Sequence, residues 1–108
     1  MDSKILKEMQ RSMIKNFLDT IILAELRNSS ALSGYNVMEY IHKKFGILIS
    51  SGTVYSLLYS MERMGLIKSA WAQRKRVYTL TDKGAEIISV ISKSKKEIQR
   101  FMGICINC

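Results

Sequence analysis

A chain of 108 residues can build one modest hydrophobic core but not two, so a single domain spanning residues 1–108 is expected. Hydrophobic residues at 47% and charged residues at 24% are ordinary for a globular protein, and no apolar run is long enough for a membrane span. The net charge of +8 suits a polyanionic partner, and half of that excess falls in residues 67–80, which hold four basic residues and no acidic one.

From the N-terminus, Met1 to Met13 mixes Asp2, Lys4, Lys7, Glu8 and Arg11 with scattered apolar residues, unlike a secretion signal, so a cytoplasmic location is expected. Ile5, Met9, Met13, Phe17 and Ile21 recur every four residues, which predicts one helix over Ser3 to Arg27 within an N-terminal segment, 1–28. The Asn28-Ser29-Ser30 run ends it. A second helix is predicted from near Ser33, with Val37, Met38, Ile41 and Phe45 on one face and Gly46 as its C-terminal stop. Ser50 is a candidate N-cap for a third helix whose inner stripe is Val54, Leu57, Leu58 and Met61, ending near Gly65. The short link between these two makes 33–65 a helix-turn-helix candidate.

Leu66 to Ala72 and Arg76 to Leu80 have the composition of two short strands, with Gln73, Arg74 and Lys75 at a polar tip. This 66–80 hairpin lacks the favoured Asn-Gly or Asp-Gly turn, so its register is open. Thr81 is an N-cap candidate for a last helix over 81–102, with Asp82 in its first turn and 103–108 as a tail. No proline, repeat or linker interrupts the series. The order predicts a mainly α fold with a small β-hairpin: a winged helix-turn-helix with an extended N-terminal helix and an added C-terminal helix for dimerisation.

Removing the inner stripe from the third helix leaves Ser51, Gly52, Thr53, Tyr55, Ser56, Tyr59, Ser60 and Arg63 facing outward, beside the cap Ser50. Small hydroxyl residues at a helix start suit a DNA groove, because they bond base edges or phosphates while the backbone N–H groups attract phosphate. The same face could merely be solvated, and Tyr55 and Tyr59 could pack beneath the hairpin or at a subunit boundary instead of on DNA. Arg74, Lys75 and Arg76 repel one another unless an anion relieves them, and DNA phosphate is the expected anion, with Lys68 extending the strip. Trp71 is expected to pack against the hairpin and core.

Several stretches together resemble the PadR-like winged-helix regulators over roughly Ile21 to Ile91. They are Ser33-Gly34-Tyr35, Ser51-Gly52-Thr53-Val54-Tyr55, Met64-Gly65-Leu66-Ile67, and Tyr78-Thr79-Leu80-Thr81 with Gly84. The resemblance implies a homodimer joined through terminal helices, a recognition helix in each major groove of double-stranded DNA, wings on flanking duplex, and repression of transcription. It also implies a small aromatic inducer, although the last helix carries only Phe101 as an aromatic.

The last helix places Ile87, Ile91, Ser94, Ile98, Phe101 and Cys105 at alternating spacings of four and three, a heptad-like seam. With Ile5, Met9 and Met13 at the other end, it forms the expected dimer surface, unless both rows fold back on their own chain. Cys105 and Cys108 form a CxxC without a second half, and His42 stands far off in sequence, so no metal or cofactor is expected within one subunit. A disulfide between subunits would resemble an arrangement in small winged-helix proteins of hyperthermophilic archaea and their viruses, whereas a reducing cytosol would leave the thiols idle. No nucleophile with its base, carboxylate pair or phosphate loop is present, which argues against an enzyme. An architectural DNA-binding protein and a winged-helix interaction module remain the other readings.

Overall fold

The computed structural model describes residues 2–107. Over them the chain runs α1 (Asp2–Asn16), α2 (Leu18–Asn28), β1 (Leu32–Ser33), α3 (Gly34–Phe45), α4 (Ser51–Arg63), β2 (Ile67–Ala72), β3 (Lys75–Leu80), α5 (Asp82–Lys93) and α6 (Lys95–Ile106). This is the expected mainly helical winged helix-turn-helix. Its core is built from Leu18 and Ile22 of α2, Ile41 of α3, Val54, Leu58 and Met61 of α4, Ile67 of β2, Tyr78 of β3 and Ile88 of α5.

The caps lie where the polar residues predict them. Ser33 Oγ accepts from the Asn36 backbone N–H at 3.1 Å while Asn36 Oδ1 accepts from the Ser33 N–H at 3.0 Å, a reciprocal box that satisfies two helix-start donors. Gly46 ends α3 in the left-handed conformation at φ 67°. Ser50 Oγ accepts from the Thr53 N–H at 3.2 Å to start α4, and Thr81 Oγ1 accepts from the Gly84 N–H at 3.1 Å to start α5.

The helices differ from expectation in three ways. The single N-terminal helix is two, bent at Phe17, whose ψ of 17° leaves the helical region. Phe17 N–H still bonds Met13 O and Ile21 N–H bonds Phe17 O, each at 2.9 Å, so the apolar row crosses the bend uninterrupted and hides it. The last helix is also two. Ser94 Oγ donates back to Val90 O at 2.8 Å, and Ser94 sits at φ −104°, ψ 18°, a side-chain bond of the type that bends helices. Residues 103–106, expected as tail, continue α6 as helix.

The hairpin has neighbours and a register that composition could not supply. Leu32 pairs with Tyr78 and Ser33 with Val77, adding a third strand in the order β1-β3-β2. Two residues are too few for an alternation to be visible. β2 and β3 pair from Ile67 with Leu80 to Ala72 with Lys75, so Lys75 opens β3 and the tip is only Gln73 and Arg74. Both adopt positive φ, 51° and 67°, the backbone of a two-residue turn whose twist matches the strands.

The terminal rows divide. Ile87 and Ile91 pack partly buried against the chain's own core, so they do not continue an open seam into α6. Both lie on α5, which packs against α2 of the same chain. Ile5 at 60%, Met9 at 52% and Phe101 at 65% stay exposed, Ile98 lies at the exposed limit, and Met13 is half-buried.

Candidate nucleic-acid interface

The start of α4 is a cluster of hydroxyls on an exposed face. Ser50 and Thr53 hydroxyls bond each other at 2.8 Å, and Ser51, Gly52 and Ser56 lie exposed beside them. A Cβ added at Gly52 would meet nothing, so the glycine leaves open approach from outside. Further along the same helix, the exposed Arg63 guanidinium stands 5.7 Å from the Tyr59 ring centroid, a cation–π pair.

Tyr55 is 46% exposed, but its ring lies directly over Gly34, where an added Cβ would run into it. Gly34 itself is buried. One side of Tyr55 therefore fastens α4 to the start of α3, leaving the rest of the ring outward.

The wing is joined to α4 by one carboxylate. Glu62 Oε2 accepts from Ser69 Oγ of β2 at 2.6 Å, and Glu62 Oε1 pairs with Arg76 Nη2 of β3 at 3.0 Å. Ser69 pairs with Tyr78, and Trp71 with Arg76, so these alternate residues share the wing face turned toward α4. The Arg76 guanidinium also stands 6.0 Å from the Tyr78 ring centroid. The expected trio of cations is thus divided: Arg76 has a carboxylate partner, whereas Arg74, Lys75 and Lys68 are exposed on the hairpin.

Trp71 corrects another expectation. It is 74% exposed and does not enter the core. Burial raises the pKa of the Tyr78 phenol, opposed by the nearby Arg76 cation. At the far end of α4, Lys83 Nζ donates to Met64 O at 3.0 Å and Thr81 Oγ1 donates to Gly65 O, so α5 also fixes where the helix stops.

Sequence reasoning missed Glu62. Its signal was legible, since it is the sole acidic residue between Glu39 and Asp82. Of the terminal CxxC, Cys105 is exposed on α6 and Cys108 lies outside the described residues. Among the described residues no three His, Cys, Asp or Glu gather as a metal site, and no helix is long and apolar enough to cross a membrane.

The family model described as the transcriptional regulator PadR-like family matches residues 22–90. Among solved structures, a transcriptional regulator from Clostridium thermocellum is similar at TM-score 0.75 and 24% identity, covering 89% of this chain and 96% of that one. F93 from STIV, a winged-helix DNA-binding protein, is similar at TM-score 0.58 and 28% identity over 82% of this chain and 89% of its own. PadR from Bacillus subtilis, in complex with operator DNA, is similar at TM-score 0.57 and 26% identity over 67% of this chain and 44% of that one. No curated protein matches the chain in sequence.

Proposed function

The chain belongs to the PadR-like family of transcriptional regulators, and from that premise we propose that it is a cytoplasmic, site-specific repressor that binds double-stranded DNA as a homodimer. The observation that carries this reading is the exposed hydroxyl face of α4 lying beside an exposed basic wing. The α4 face, Ser50 through Arg63, enters the major groove, where Ser51, Thr53 and Ser56 bond base edges or phosphates and Tyr55 and Tyr59 line its outer wall. Lys68, Arg74 and Lys75 lie along the flanking backbone, supplying affinity without sequence information. A protein of similar fold, PadR from Bacillus subtilis, is in complex with operator DNA, which supports double-stranded DNA as the ligand.

The exposed Ile5 and Met9 of α1 and Ile98 and Phe101 of α6 supply apolar surface for a second copy. Two-fold pairing then presents two α4 helices to half-sites about 34 to 36 Å apart, or a multiple of that. Exposed Cys105 lies on the same helix as Phe101, and a disulfide to its counterpart would lock the pair. Unchanged mobility on denaturing gels with and without reductant removes the disulfide from this reading.

Selection of duplexes from a random library at near-physiological salt, followed by titration against a scrambled duplex, tests the function. An enriched inverted repeat bound roughly 10³-fold tighter than the scrambled duplex is the expected result. Uniform weak binding would point to an architectural protein instead, and absence of binding would overturn a DNA role.

A further inference from the structure

We infer that Glu62 is a specificity-determining residue of the DNA interface, a positioning residue that withholds Arg76 from phosphate and fixes the wing to the recognition helix. The inference rests on the proposed binding of duplex DNA.

An acid within a surface meant for a polyanion repels the ligand, so its presence needs a compensating role. Glu62 is the sole acid from residue 40 to residue 81 and sits on α4, the helix proposed to enter the groove. Its two oxygens engage different strands: Oε2 takes Ser69 Oγ of β2 at 2.6 Å and Oε1 takes Arg76 of β3 at 3.0 Å. Attachment at two points across the hairpin resists rotation of the wing about α4, which one bond would not. The Glu62 side chain is only 28% exposed, so the pair is shielded more than an open surface pair.

Two consequences follow for binding. The pair is neutral, so Arg76 displaces no counterion on binding and adds nothing to the sequence-independent part of affinity. A wing held at one angle keeps Arg74 and Lys75 in register with α4, so phosphate contacts and base contacts are made together only on the right site. Loss of the carboxylate charge reverses both: Arg76 turns to phosphate, random duplex binds more tightly, and operator preference falls.

The test measures the dependence of log affinity on log salt for random duplex with wild type, Glu62→Gln, Arg76→Gln and the double variant. Glu62→Gln keeps the side-chain shape and should steepen the slope by about 0.9 while lowering the ratio of operator to random affinity. Arg76→Gln alone should leave the slope at its wild-type value, and added to Glu62→Gln it should return the slope there. A slope flattened by about 0.9 in Arg76→Gln alone overturns the inference, since Arg76 would then touch phosphate with Glu62 in place. An unchanged slope in Glu62→Gln also overturns it. Should Glu62→Gln fail to fold, as judged by circular dichroism, the Arg76→Gln arm decides alone, because that side chain is half exposed. If wild type binds no duplex, the DNA role falls and the inference with it; if it binds and the variants behave otherwise, only the role of Glu62 falls.

Discussion

Gly84 lies in the first turn of α5, against the backbone of Leu66 just past the end of α4. A Cβ there would strike the Leu66 carbonyl oxygen, a backbone atom that cannot turn aside. Gly84→Ala should therefore destabilise the fold by about 2 kcal/mol, read as a lowered denaturant midpoint with unchanged slope. Gly34→Ala differs, because the obstructing group is the Tyr55 ring, which can rotate away, so it should cost less stability and more binding. Tyr78 offers a test by pH. Its folded pKa is raised by burial above the ordinary value of about 10, so the folded state favours the neutral phenol. That contribution is complete below pH of about 10 and is lost as pH rises through the folded pKa. Lys44, raised by its bond to the Tyr40 hydroxyl, titrates in both proteins alike. Thermal midpoints measured upward from pH of about 8 should consequently fall more steeply in wild type than in Tyr78→Phe.

The starts of α3, α4 and α5 follow local chemistry, and the wing departs from it. Gln73 and Arg74 hold positive φ without a glycine, a conformation that costs on the order of 1 kcal/mol per residue. An Asn-Gly turn would fit the same backbone at lower cost. Arg74→Gly should raise the melting temperature while weakening duplex binding and reducing its salt slope by about 0.9, if Arg74 contacts phosphate. A variant that gains stability and binds DNA unchanged would remove Arg74 from the interface. The turn explains why the register was not legible: neither residue carries the turn signal, and only the pairing of Ala72 with Lys75 reveals a two-residue tip.

For the whole molecule, one core closes the middle of the chain, and exposed apolar residues gather on α1 and α6 as well as on α4 and the wing. Ile5, Met9 and Phe101 are exposed large apolar residues of the terminal helices, and a second copy would cover them. Sedimentation equilibrium should give twice the 12.4 kDa chain mass, and Ile5→Glu with Phe101→Glu should return it to 12.4 kDa. Operator affinity should then drop by roughly 10²-fold or more, because the second half-site is no longer held at high local concentration. An unchanged mass would exclude these faces from pairing.

Periodicity, caps and charge determined by themselves the succession of helical segments and hairpin, the starts of α3, α4 and α5, the outward face of α4 and the basic wing. These are local properties: a side chain three residues from its acceptor, or a stripe repeating each turn, is written in consecutive residues. Only the tertiary structure decided the bends at Phe17 and Ser94, the two-residue β1, the exposure of Trp71, and the partition of Ile87 and Ile91 from Ile98 and Phe101. It also decided the pairing of Glu62 with Arg76, fourteen residues apart. Each of these depends on which groups distant in the chain meet, and contact between distant residues leaves no period in the sequence.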